Sequence, residues 1–289
     1  MSEKAPVRVG IIGAGAISQV VHLPILTERV DVDVVALADA DVHKAETLSS
    51  RFGVPVVMDT DELLRFDEVD ALVLCTPNHL HEEMAVTALE AGLNLLVERP
   101  LASTSGGAER VIEVAETEGR VLSVGVPHRF RPEVAALRSF VEGGELGDVF
   151  AARASWLTRK LPGQRGSWRS DRESAGGGSL VDLGISALDL CLWSLGFPDV
   201  TKVSCALTSD GDAVEHSGSL LLHTSGGMAI SVEVSNRLFA REDRYYLRVM
   251  GSEGSAAIPP LEVYKLLGGR PMDVTPRQPL PQGGENPYT

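Results

Sequence analysis

The stretch VRVGIIGAGAIS, residues 7–18, decides the fold. Its first six residues, apolar apart from Arg8, read as a buried strand, and the glycines behind them open a helix. In this G-x-G-x-x-S pattern Gly13 makes the tight turn. Gly15 carries no side chain to hold off a pyrophosphate, and the helix that starts at Ala16 and Ile17 turns its amides toward the phosphates. Ser18 stands where a third glycine usually packs helix on strand, and its small side chain is tolerated there at some loss of closeness. The second strand, DVVALADAD, carries Asp39 at the distance where a carboxylate accepts from a ribose hydroxyl. A 2′-phosphate would meet that carboxylate head-on with no Arg immediately following, so the bound dinucleotide is expected to be NAD rather than NADP. The alternative for Asp39 is a helix N-cap.

Strand-like runs and helical periodicity alternate onward from this unit, through Val32 to Ala38, Lys44 to Phe52, Ala71 to Cys75, Leu80 to Ala91, Leu93 to Val97, and a helix through Val111 and Ala115 to Val121–Gly125. Such alternation predicts a doubly wound parallel sheet, a Rossmann domain over residues 1–127. Beyond it, residues 128–289 read as an α+β domain. A helix runs from Pro132 to the breaker Gly143–Gly144, a strand from Val149 to Leu157, then a polar loop, then a strong helix from Ser179 to Leu195. Four further runs, Val203 to Thr208, Ser219 to His223, Ala229 to Val234 and Tyr245 to Met250, follow without helices between them and predict an open, mainly antiparallel sheet. After about Pro259 the chain is rich in Pro and Gly, and no element is predicted there.

Bulk composition agrees with a packed α/β protein: 289 residues, 44% hydrophobic and 23% charged. A net charge of -14 repels phosphate backbones and anionic membranes, which argues against nucleic-acid and membrane partners. Cys75, Cys191 and Cys205 each lie in an apolar run and read as reduced core residues of a cytoplasmic protein rather than catalytic thiols. The amino terminus lacks the pattern of an export signal, and no apolar run approaches membrane-spanning length. No metal-ligand set is visible.

These segments together resemble the Gfo/Idh/MocA family of glucose-fructose oxidoreductase and inositol dehydrogenase. The likeness rests on GIIGAGAIS, ALADAD, CTPNHLHEEMAVTALEAG, VERPLA, GVPHRFRP, SWRSD and GGGSLVDLGISALD, in the family's order and spacing. It implies a nicotinamide cofactor and a second domain whose sheet often serves oligomer contact, so a homodimer or homotetramer is expected if that sheet exposes an apolar face. It places Thr76, Pro77 and Asn78 along the cofactor, His81 just beyond, and Glu98 near the nicotinamide. A Pro-Asn pair at a strand's carboxyl end is also where open α/β sheets bind ligands. His79 and His81 read equally as helix-start polar residues. Trp168 and Arg169 match a segment that in relatives reaches the cofactor; the alternative is a surface loop with a cation stacked on an aromatic ring.

The chain departs from the family at its proton handlers. Arg99 stands where Lys is usual and Ser186 where His is usual. A sugar dehydrogenase removes a hydroxyl proton as hydride leaves; a buried lysine does this, whereas a guanidinium stays protonated and can only clamp or polarise an oxygen. Helical spacing puts Asp182, Ser186 and Asp189 on one face, as a polar wall of the substrate site. The candidate catalytic residues are therefore Asp182, Arg99 and His128, with Arg99, Arg129, Asp182 and Ser186 binding a small-molecule substrate. Of Tyr245 and Tyr246, neighbours on a strand, at most one faces the site. The expected function is oxidoreduction of a sugar, cyclitol or similar carbonyl or carbinol compound. The alternative is dinucleotide binding without net redox turnover, as a lyase, epimerase or sensor.

Overall fold

Strand β1 (Val7–Ile12) lies inside a six-stranded parallel sheet with β2 (Val32–Ala38), β3 (Val56–Met58), β4 (Ala71–Leu74), β5 (Asn94–Val97) and β6 (Leu122–Val124), ordered β3-β2-β1-β4-β5-β6. Parallel strands joined by helical crossovers are covered on both faces, which is why adjacent Ile11 and Ile12, pointing to opposite sides, are both fully buried. A π-turn at Ser18–His22 leads into α1 (Leu23–Leu26); α2 (Val42–Phe52), α3 (Thr60–Leu63), α4 (His81–Glu90) and α5 (Ser105–Thr117) complete the layers. Asp41, Asp59 and Thr104 cap α2, α3 and α5 by accepting from the amides of Lys44, Glu62 and Gly107. The strand order reverses between β1 and β4, and at such a switch point the open carboxyl edge of the sheet accepts ligands.

Residues 5–159, 168–211 and 214–276 are described by a computed structural model and form two units. The first runs to Gly125 and includes Ser174–Gly176, and the second holds the remainder from Val126. The break falls two residues before the expected 127/128 boundary, and the return of Ser174–Gly176 to the first unit was not anticipated.

In the second unit α6 (Pro132–Glu142) precedes the long strand β7 (Val149–Arg159); α7 (Arg172–Ala175), a π-turn at Leu180–Gly184 and α8 (Ile185–Ser194) follow. Then come β8 (Val200–Thr208), β9 (Ser217–Thr224), β10 (Ala229–Leu238), β11 (Arg244–Gly251), β12 (Gly254–Ile258), β13 (Glu262–Leu267) and β14 (Arg270–Asp273). Their order is β14-β13-β12-β11-β7-β10-β9-β8, with every pairing antiparallel except β7 with β10. Strand alternation turns Ala152, Ala154, Val232 and Leu247 toward Val134, Leu137, Leu183, Ala187 and Leu190 of the helices. The opposite face exposes Arg153, Glu233 and Arg248 together with Leu221 and Tyr264.

Four expectations need correction. The short edge strand β3 escaped the periodicity reading. The region after Pro259 is not elementless, because β13 and β14 form a hairpin there, while residues from 277 lie outside the described ones, as do residues 160–167 of the polar loop after β7. Cys205 is exposed on the edge strand β8 rather than in a core. Finally, Arg172–Ser194 is long and apolar enough to cross a membrane by length and composition, yet half of its apolar window is buried, with Leu183, Ala187, Leu190 and Cys191 in the protein core.

Candidate active site

The loop after β1 is built around two glycines with different tasks. Gly13 has φ +105°, and a Cβ there would lie 2.5 Å from the carbonyl oxygen of Cys75. Only glycine fits that position. A Cβ on Gly15 would meet nothing within 4 Å, and both Gly15 and Ala16 are exposed, with Ile17 half-buried behind them. This is an open cradle at a helix start, the shape a diphosphate needs. Ser18 is more than a tolerated substitute for glycine: fully buried, its hydroxyl donates to the Gly13 carbonyl at 2.5 Å and ties the helix to the turn.

Asp39 is not the N-cap of α2, a place taken by Asp41. Its carboxylate accepts from the amide of Ala14 at 2.6 Å through one oxygen and from the amide of Asp41 at 2.8 Å through the other. A negative charge is thus fixed beside the glycine loop, on the β2 side of it.

At the carboxyl ends of β4 and β5, Thr76 offers its hydroxyl to the Met84 sulfur at 3.7 Å, and Pro77 starts a turn that buries Asn78, whose amide donates to the Ala175 carbonyl at 2.8 Å. His79 is exposed, with Nδ1 3.2 Å from the Ser174 carbonyl. His81 is 1% exposed, with Nδ1 2.6 Å from the Pro100 carbonyl and Nε2 2.9 Å from that of Thr76. It braces the two loops and has no surface to give a ligand, which corrects its expected place on the cofactor. Glu98 leaves β5 with its carboxylate 2.7 Å from Nε2 of His22, a buried residue the sequence reading did not single out. Arg99, next in line, is half-buried. Burial pushes the Cys75 thiol up to about 12, Glu98 adding to the rise and a Ser18 hydrogen bond opposing it; Cys75 is inert packing.

In the second unit, His128 sits in a short turn (Pro127–Phe130), its ring edge-on to Trp156 at 4.6 Å. Trp156 stacks at 5.3 Å on Tyr245, its register partner across β7 and β11, and Arg131 lies 5.1 Å from the Tyr245 ring centroid and donates to its hydroxyl. Burial raises the Tyr245 phenol above its usual range, with the Arg131 charge opposing, so this hydroxyl remains a proton donor. Tyr246 faces the other way, beneath Arg153 at 5.9 Å.

Asp182, Ser186 and Asp189 are not equivalent. Asp182 lies in the π-turn at Leu180–Gly184, and Ser186 and Asp189 lie in α8. Asp182 is exposed and Ser186 is buried, while Asp189 accepts from Arg129 Nε at 2.9 Å. Arg129 also lies 5.4 Å from the centroid of Phe197, so this expected substrate ligand is held by its own ion pair. Glu215, also missed, accepts from the amides of Gly178 and Leu180 at 2.8 and 3.0 Å and anchors the start of this helical stretch. Trp168 and Arg169 form a short turn with the guanidinium 4.3 Å over the indole. Among the described residues no group of three His, Cys, Asp or Glu side chains is placed to hold a metal.

Residues 7–126 match the model of an oxidoreductase family with an NAD-binding Rossmann fold, and residues 134–257 match the GFO/IDH/MocA C-terminal domain. The chain belongs to the GFO/IDH/MocA oxidoreductase family. It is 31% identical to the D-glucoside 3-dehydrogenase of Escherichia coli (strain K12) over 95% of this chain and 83% of that one. Similarity to the dTDP-3,4-didehydro-2,6-dideoxy-alpha-D-glucose 3-reductase of Streptomyces antibioticus is 30% identity over 82% of this chain and 70% of the relative. Among solved structures, GenD2 from gentamicin A biosynthesis, in complex with NAD, superposes with a TM-score of 0.82 at 30% identity, covering 88% of this chain and 72% of that one. The first unit is thus the family's NAD-binding domain, and the open Gly15 cradle with Asp39 beside it fits that cofactor.

Proposed function

We propose that this GFO/IDH/MocA oxidoreductase interconverts a secondary hydroxyl and the matching ketone of a sugar or cyclitol, with NAD preferred over NADP. The glycine cradle carries the reading: it takes a diphosphate at Gly15 and meets the adjoining ribose with Asp39. Bound NAD supplies a nicotinamide that accepts or returns a hydride. The sugar assignment draws on the relatives, two of which are named for chemistry at position 3 of a glucose-type ring.

Arg99 polarises the reacting oxygen without taking its proton, because a guanidinium stays charged. Asp182 or His128 moves the proton; Asp182 is exposed to water and suits a relay, whereas His128 is held in place by Trp156. Ser186 binds substrate through its hydroxyl. Arg129, tied to Asp189, contributes by holding the His128 turn rigid. Trp168 and Arg169 contribute to the cofactor's surroundings, and Thr76, Pro77 and Asn78 shape the loop that lines it.

A second reading, dinucleotide binding without net turnover, is favoured by Arg99 and Ser186 standing where the family usually carries Lys and His. Incubation with NAD and a panel of glucosides, or with NADH and 3-keto sugars, tests the first reading through nicotinamide absorbance. Turnover of any member supports it. Silence in both directions, with NAD tightly bound and with dehydrogenase activity gained by an Arg99→Lys/Ser186→His variant, supports the second.

A further inference from the structure

His22 and Glu98 are 76 residues apart in sequence and meet at 2.7 Å, with side chains only 5% and 13% exposed. Three constraints act on that carboxylate. The Glu98 amide donates to the Leu74 carbonyl, which fixes its backbone at the carboxyl edge of the sheet. A Cβ on Gly125 would lie 3.0–3.1 Å from the carboxyl atoms, so the carboxylate is pressed against bare backbone that only glycine leaves available. His22 then fixes its remaining freedom. Imidazole and carboxylate hold each other in a site where either alone would be costly to bury.

The placement of His22 ties this pair to the glycine loop. It follows Ser18 by four residues in the π-turn that the loop opens, and Ser18 bonds to the Gly13 carbonyl from the same segment. A dinucleotide in a doubly wound sheet lies across the carboxyl edge with its diphosphate on this loop and its halves on either side of the switch point. Asp39 stands on the β2 side. Glu98 stands on the β4–β5–β6 side, with the nicotinamide half.

We propose that His22 is a positioning residue that holds the Glu98 carboxylate toward the nicotinamide half of the bound dinucleotide and so biases the site toward the oxidised, positively charged ring. This rests on the NAD reading given above. An anion fixed near a ring that is cationic when oxidised and neutral when reduced favours the oxidised form, and it does so only while it is held in place.

Dissociation constants for NAD+, NADH and ADP-ribose, which lacks the nicotinamide, test it in the wild type, Glu98→Gln, His22→Leu and His22→Gln. In Glu98→Gln and His22→Leu the ratio of NAD+ to NADH dissociation constants rises about fivefold, the scale of one charge interaction near water, while ADP-ribose affinity is unchanged. His22→Gln, whose amide can replace the imidazole donor, recovers most of the wild-type ratio. An unchanged ratio in both Glu98→Gln and His22→Leu overturns the proposal, as does ADP-ribose binding that weakens in step with both dinucleotides, the mark of a purely structural tie. Failure of the wild type to bind ADP-ribose at all overturns the cofactor reading itself, and this proposal with it.

Discussion

Replacing Gly15 by alanine separates the stability of the fold from its grip on the cofactor. The added methyl meets nothing within 4 Å, and Gly15 does not use a left-handed backbone. The folded chain accommodates it, and the lost freedom of the unfolded chain makes Gly15→Ala about 0.4–1 kcal/mol more stable. Binding responds the other way. The methyl fills the space through which a diphosphate reaches the loop amides, and loss of two charge-assisted hydrogen bonds at about 1.5 kcal/mol each weakens NAD by about 3 kcal/mol, or about 150-fold. Gly13→Ala is the contrast, because its methyl strikes the Cys75 carbonyl at 2.5 Å from a left-handed backbone and lowers stability as well as binding. Differential scanning calorimetry and isothermal titration with NAD read the two effects separately. A Gly15→Ala protein that binds NAD within about threefold of the parent would refute the diphosphate's place on this loop.

Other consequences follow from the same geometry. Asp39→Ala removes the acceptor for two backbone amides and is expected to lose about 1–2 kcal/mol in urea unfolding, and its NAD preference over NADP narrows in parallel titrations. Asp189→Ala strands the Arg129 guanidinium at a partly buried site and is expected to cost about 2–3 kcal/mol by denaturant melting, below the range for fully buried pairs because the side chains are 28% and 15% exposed. Burial raises the Cys75 and Cys191 thiols from 9.0 to about 12, so their stabilising contribution is intact below pH 9.0 and is lost as pH climbs toward 12. At pH 8 iodoacetamide should therefore label Cys205 alone in the folded chain, as peptide mass spectrometry would show.

The first unit was legible because its signals are local. A strand, a two-glycine turn and a carboxylate at the end of the next strand all lie within residues 7–41, and each decides its own conformation. Short or exposed elements carried less signal: β3 has three residues, and β14 is exposed throughout, so neither shows periodic burial. The hairpin between β13 and β14 did leave a mark. Gly268 and Gly269, both at positive φ between Leu267 and Arg270, form the two-residue turn that such glycine pairs make. Long-range partnerships were invisible. Nothing near Glu98 points to His22, and nothing near Asp189 announces that Arg129 claims it.

Transfer of a labelled hydride tests the central account most directly. Glucosides carrying deuterium on carbon 3 are incubated with the protein and NAD, and the nicotinamide product is weighed by mass spectrometry. One deuterium appearing in NADH, in step with formation of the keto sugar, is the predicted result. Recovery of NAD unreduced and unlabelled, under conditions where calorimetry shows the dinucleotide bound, would contradict it.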